Sequence, residues 1–156
     1  MRRVLWAGLA ILLLDQVTKY WVVHMLDLDR LGRIELWPPY LNLRMAWNYG
    51  INFGLFAGDA PATRWVLIAL ALVISAAVLW WLRREQGGPW QEIAAGVLVG
   101  GALGNVIDRV LYGAVADFLN MSCCGIDNPY AFNVADIAVF AGAIGMVVFG
   151  SGKKAA

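Results

Sequence analysis

Apolar side chains run in four long blocks along this chain, at residues 4–26, 65–82, 93–112 and 133–150, with most polar positions gathered between them. Each block is long enough to cross a hydrocarbon layer as a helix. The second is broken only by Ser75 and stops at Arg83-Arg84. The third repeats glycine every four residues, at Gly96, Gly100 and Gly104, and the fourth keeps Ala135, Ala138, Ala141, Gly142 and Gly145 small. Small residues of this kind let a neighbouring helix approach closely. The first block begins as a secretory signal does, with Met1-Arg2-Arg3 ahead of an apolar run over 4–14. Asp15-Gln16-Val17-Thr18-Lys19 then stands where a small-residue cleavage site is expected, and the apolar run resumes over 20–26. A retained first transmembrane helix is the expectation.

The connection over 27–64 is too long to be only a link. Within it Leu41, Leu43, Met45 and Trp47 alternate with Asn42, Arg44, Ala46 and Asn48. After Tyr49-Gly50 the alternation resumes with Ile51, Phe53 and Leu55 against Asn52 and Gly54, which reads as strand, turn, strand. A small amphipathic sheet resting on the bilayer, apolar face toward lipid or a lipidated ligand, accounts for the pattern; so does plain packing. Trp37-Pro38-Pro39-Tyr40 reads as a rigid lead-in anchored at the interface.

Composition agrees with a membrane. The 156 residues are 61% hydrophobic and 15% charged and include eight Trp, more apolar surface than one small soluble core hides. Net charge is only +1 with no basic run, so nucleic acid is not an expected partner. Two Cys and one His, without CxxC or HExxH, are too few soft ligands for zinc; no metal and no cofactor are expected. His24 ends an apolar helix and reads as an interfacial polar residue rather than a catalytic base. Cys123-Cys124 would close a strained ring if paired, and carry no assigned role.

Basic residues orient the spans. Arg2-Arg3, Arg83-Arg84 and Lys153-Lys154 fall on one side of a four-span chain, which the positive-inside rule makes the cytoplasm. The loops over 27–64 and 113–132 then face outward. Arg30, Arg33, Arg44 and Arg64 weaken the bias, but the same loop carries Asp27, Asp29, Glu35 and Asp59.

This orientation gathers polar groups at the outer boundary. Asp117 and Asp136 flank the second outer loop at equal depth, and Asn105, Asp108, Arg109 and Asn133 lie nearby. Asp15 and Lys19, four apart on one helix face, can pair, and should point inward because ionisable groups facing lipid are costly. Capping alone would explain Asp136, three residues after Asn133, and an ordinary loop would explain Asp117. Together, the cluster exceeds what capping needs. Peptide hydrolysis without a metal or a nucleophilic side chain needs a base to deprotonate water and an acid to protonate the leaving group. Two adjacent carboxylates sharing one proton supply both.

Five motifs in order then resemble the lipoprotein signal peptidase family, bacterial signal peptidase II. They are Asp15-Gln16-Val17-Thr18-Lys19; Asn48-Tyr49-Gly50 with Phe53-Gly54; Gly100-Gly101-Ala102-Leu103-Gly104-Asn105-Val106-Ile107-Asp108-Arg109; Val115-Ala116-Asp117-Phe118; and Ala131-Phe132-Asn133-Val134-Ala135-Asp136. Where the family commonly has Asn-Thr-Gly-Ala-Ala-Phe, this chain has Asn48-Tyr49-Gly50-Ile51-Asn52-Phe53, and its Cys123-Cys124 loop is unusual for the family.

The resemblance implies an all-α membrane protein: a four-transmembrane-helix bundle with a small extracytoplasmic β-sheet, or cradle, in the first outer loop, forming one peptidase domain over residues 1–156. It implies an aspartyl endopeptidase of the bacterial inner membrane, both termini cytoplasmic and the site periplasmic. The enzyme would remove signal peptides from prolipoproteins, cutting before the diacylglyceryl-bearing cysteine. By motif match the catalytic pair falls on Asp117 and Asp136. Asn48, Gly101, Asn105, Arg109, Asn133 and Ala135 match positions lining or supporting the site, Asp15 and Lys19 match a first-helix polar pair, and Asp108 with Arg109 reads mainly as scaffold. Expected partners are lipid-modified prolipoproteins and membrane phospholipid, with the chain a monomer. Two other classes compete: an ion or proton relay through Asp15, Lys19, Asp108 and Arg109, which would need ionisable groups at successive depths, and a precursor-binding assembly factor, which would tolerate asparagine at 117 and 136.

Overall fold

The third apolar block is the axis of the molecule. In the computed structural model, which describes residues 1–50, 61–125 and 128–150, it forms α4 (Pro89–Tyr112) and packs against three other long helices: α1 (Arg2–Tyr20), α3 (Pro61–Arg84) and α5 (Val134–Gly150). α1 continues through a wider π-type winding over Trp21–Met25, and a single turn, α2 (Leu28–Leu31), follows. Among the described residues, α3 and α4 are long and apolar enough to cross a membrane by length and composition. α5 is apolar but shorter, with 17 residues. α1 carries Asp15 and Lys19 towards its C-terminal end, both buried.

Glycines set how closely the helices approach. Gly96 and Gly100 lie on Val4 and Gly8 of α1, where a Cβ on Gly96 would sit 2.5 Å from the Val4 carbonyl oxygen. One residue on, about 100° around the helix, Gly101 meets α5, and its Cβ would sit 2.6 Å from the Ala135 carbonyl oxygen. Adjacent glycines thus serve different neighbours. Ala138 and Gly142 are buried as their size suggests, whereas Ala141 faces outward. At the end of the bundle away from Asp15 and Lys19, Val4, Leu82, Ala94, Ala95 and Met146 form one apolar cluster from all four long helices.

α4 ends at Gly113, whose φ of +81° reverses the chain into a strand. That strand, β3 (Val115–Met121), pairs antiparallel with β2 (Leu41–Asn48), which pairs antiparallel with β1 (Arg33–Trp37), in the order β1-β2-β3. Two expectations change here, and of two readings left open for the sheet's apolar face one is met. The sheet is not confined to the first outer loop, because its third strand comes from the second, and Asp117 is a strand residue rather than a loop residue. Trp37-Pro38-Pro39-Tyr40 is no lead-in but the hairpin turn between β1 and β2, closed by Tyr40 N–H donating to Trp37 O at 2.8 Å. The apolar face of β2 is spent on protein: Leu43 and Met45 pack with Val22, Leu28 and Phe118. The second half of the expected hairpin, Ile51 to Leu55, lies outside the described residues, as do Asp59 and Lys153-Lys154.

Candidate active site

The site grows from a buried ion cluster. Asp15 is wholly buried, and a lone carboxylate there would be untenable. Its Oδ2 accepts from Lys19 Nζ at 2.8 Å, and its Oδ1 accepts from the Ala135 backbone N–H at 2.9 Å, in the first turn of α5. Lys19 Nζ also contacts Asp108 Oδ2 at 2.8 Å and Asn105 Oδ1 at 3.1 Å, so its three protons have three acceptors. Asp108 Oδ2 in turn accepts from the Ala116 backbone N–H at 3.2 Å. One lysine and two aspartates thereby tie α1, α4, the start of α5 and the start of β3 together.

Above this floor sits a second, amide-rich layer. Asn133 caps α5: its Oδ1 accepts from Asp136 N–H at 2.8 Å while Asp136 Oδ2 accepts from Asn133 N–H at 3.2 Å, a reciprocal capping box. The capping explanation for Asp136 is therefore true as far as it goes. Asn133 Nδ2 also donates to Asp117 Oδ1 at 2.6 Å, so one side chain touches Asp117 and caps the turn holding Asp136. Asn105 Nδ2 donates to Asp136 Oδ1 at 3.0 Å, and Asn48 Nδ2 donates to Asp117 Oδ2 at 3.0 Å. Asn48 Oδ1 accepts from Gly50 N–H, and Arg109 donates to Gly50 O at 3.0 Å, within electrostatic reach of both aspartates. Arg109 thus holds a backbone oxygen.

The carboxylates sit in different surroundings. Asp117 is 2% exposed and Asp136 only partly buried. Burial pushes the Asp117 carboxyl up to about 7, with the charge of Asp136 adding in the same direction. Two nearby carboxylates of which one resists ionisation are equipped to exchange protons with a water and a peptide.

All eleven residues singled out in the sequence belong to this network. Gly101 contributes only by letting α5 close on α4, and Ala135 contributes its backbone N–H. One member was passed over. Gln16 Nε2 donates to Asp108 Oδ1 at 3.0 Å and lies 3.2 Å from Asp15 Oδ2, a second bridge between the two aspartates beside Lys19. A polar residue beside Asp15 in an apolar span was the available signal. His24 is exposed beside Tyr20, and Cys123 and Cys124 are exposed free thiols away from the network.

Two solved structures share this architecture over almost the whole chain. Each is a bacterial membrane enzyme determined by the in meso method, one at 2.3 Å resolution (TM-score 0.81, 28% identity, covering 100% of this chain and 94% of that one) and one at 1.9 Å (TM-score 0.80, 26% identity, 99% and 96%). Fold and site together define a helical bacterial membrane enzyme with a polar cluster at one end of its bundle. The particular family follows from sequence: the family model for signal peptidase (SPase) II matches residues 7–150. A lipoprotein signal peptidase of Rhodopseudomonas palustris is 40% identical over 139 residues, 87% of this chain and 84% of the relative. That of Sphingopyxis alaskensis is 42% identical over 135 residues (86% and 77%), and that of Alteromonas mediterranea 35% over 155 (97% and 83%). This chain belongs to the signal peptidase II family, and is a peptidase.

Proposed function

We propose that this chain is an intramembrane aspartyl endopeptidase that removes signal peptides from diacylglyceryl-modified prolipoproteins, cutting before the lipidated cysteine. The shared name of its relatives, lipoprotein signal peptidase, supports the substrate class. The observation that carries the chemistry is the Asn133 bridge between Asp117 and the α5 turn bearing Asp136. Asp117, the more buried, holds the shared proton; Asp136 is the base. Asp136 takes a proton from water as the oxygen attacks the scissile carbonyl carbon, and Asp117 gives its proton to the carbonyl oxygen. Collapse of the tetrahedral adduct returns a proton to the departing nitrogen. Asn48, Asn105 and Asn133 hold the carboxylates, Arg109 holds the Gly50 carbonyl, and Asp15, Lys19, Asp108, Gly101 and Ala135 fix the helices beneath.

The proposal includes four membrane-crossing helices, α1, α3, α4 and α5, with both termini in the cytoplasm and the dyad at the periplasmic rim of the inner membrane. The basic residues at 2, 3, 83 and 84 support that orientation. Asp15, Lys19 and Asp108 form one closed knot at a single level, which argues against a relay through successive depths.

Purified enzyme should cleave a diacylglyceryl-modified precursor and leave its unlipidated form intact, read by product mass; equal cleavage of both would remove the lipid requirement. The pH profile tests the acid. Asp117 loses its proton as pH rises through about 7, so kcat/KM should fall above that point by about tenfold per unit. A profile flat between about pH 6 and about 9 would show that Asp117 is not the acid.

A further inference from the structure

Cys123-Cys124 is a motif that the catalytic network leaves unused. The two thiols sit just beyond β3, on the turn that leads towards α5, and both are exposed and unpaired by any disulfide. The turn is held at its base. Ser122 N–H donates to Tyr40 O at 3.2 Å, which extends the β2–β3 ladder by one step. Ser122 Oγ accepts from Asn128 N–H at 3.2 Å, and Asn128 Nδ2 donates to Met121 O at 3.0 Å. Neighbouring side chains of an extended strand point to opposite faces. Cys124 departs from that conformation, with a φ of +59°. Its thiol stands beside that of Cys123, close enough for a hydrogen bond between them to push the Cys123 thiol up from its ordinary range. Met121, also exposed, precedes Cys123 by two residues, the spacing that puts two side chains on one side of an extended chain. Three soft sulfurs therefore share one exposed turn.

Geometry favours an ion between the thiols over a bond between them. A disulfide would draw the sulfurs to ~2.05 Å and close a strained ring across one peptide unit. Two thiolates bound to one metal ion at about 2.3 Å each stand roughly 4 Å apart, near the spacing of hydrogen-bonded thiols, and the ring gains an atom. Ligand type then selects the ion. Thiolate and thioether sulfur suit soft Cu(I). Zinc in a closed protein site takes four donors, and among the described residues no group of three or more His, Cys, Asp or Glu side chains is placed to hold a metal. A cuprous ion is satisfied by two or three sulfurs, so the shortage of donors that excludes zinc does not exclude it. We propose that Cys123, Cys124 and Met121 form a binding site for one cuprous ion, with the two thiolates as a chelate and the thioether as third donor. Binding releases the two thiol protons, transfers no electron and needs no oxidant. Cys123 lies about 20 Å along the chain from Asp117 at ~3.3 Å per residue, so the ion stays clear of the carboxylates and the site is independent of the peptidase reading.

The test titrates detergent-purified enzyme, reduced and kept under inert gas, with Cu(I) held by bicinchoninate, whose coloured complex fades as the protein takes the ion. Wild type should take up one ion per chain, confirmed by native mass spectrometry, and excess Zn(II) should not displace it. Because two protons leave for each ion bound, affinity should fall about a hundredfold for each pH unit of acidification below the thiol range. Cys123→Ser/Cys124→Ser should abolish uptake and Met121→Leu should weaken it. Thermal unfolding and cleavage of lipidated precursor should be unchanged in both, since all three side chains are exposed. Unchanged uptake in the double serine variant, displacement by zinc, or wild-type affinity in Met121→Leu overturns the site. So does a chain that is two hydrogens lighter as isolated and stays so under reductant, which would make the pair a disulfide. Copper uptake and cleavage are read on the same samples, so failure of the copper site and failure of the peptidase reading are distinct results.

Discussion

Asp117→Asn and Asp136→Asn, made singly, are each expected to lower cleavage of a lipidated precursor by on the order of 10³-fold or more while leaving the bundle folded. Asparagine preserves the shape of the carboxyl group and removes its ability to exchange a proton. The two act on one proton inventory, so the double variant should be little worse than either single one. Folding is checked independently through linkage. Asp117 has a raised carboxyl in the native state, so the stability it contributes is present below its unfolded value and is lost as pH rises through about 7. Asp117→Asn removes that loss, and its thermal unfolding in detergent should depend less on pH between about 4 and about 7 than that of the wild type. A folded Asp117→Asn or Asp136→Asn enzyme that cleaves at the wild-type rate would end the dyad; it is also what a precursor-binding assembly factor predicts.

How far the chain could be read in advance depended on the range of each interaction. Apolar length and glycine spacing are local, and they placed four helices within a few residues of where they lie. Asp15-Lys19 pairing is equally local, a consequence of four-residue spacing. Partners from distant positions were hidden. That Lys19 also holds Asp108, or that the Ala135 backbone N–H rather than its side chain meets Asp15, requires α1, α4 and α5 already to be packed. The sheet shows the same limit. Alternation in residues 41–48 identified a strand, but its partners are β1 and β3, and the pairing Ala46↔Asp117 that puts the aspartate at the site cannot be read from either segment alone. A Trp-Pro-Pro-Tyr stretch is ambiguous between anchor and turn until the strands flanking it are known to pair.

Lys19→Met is expected to destabilise the enzyme more than any conservative change at the dyad, because it leaves Asp15 and Asp108 buried without their shared cation. Removing one partner of a buried ion pair costs about 3–5 kcal/mol, since the remaining charge has lost both its counter-ion and its water. Here two carboxylates are orphaned together, though Asp15 keeps the Ala135 N–H and Asp108 keeps Gln16 and the Ala116 N–H. Neutralising one of them should recover part of the loss: Lys19→Met/Asp108→Asn should unfold at a higher temperature than Lys19→Met alone, which a purely steric role for the lysine would not produce. A catalytic signature should accompany the structural one. The charge of Lys19 lowers the Asp117 carboxyl, so in any Lys19→Met enzyme that survives purification the alkaline limb of the pH profile should move upward. An unshifted limb together with wild-type stability would mean that the ion cluster beneath the dyad neither supports nor tunes it.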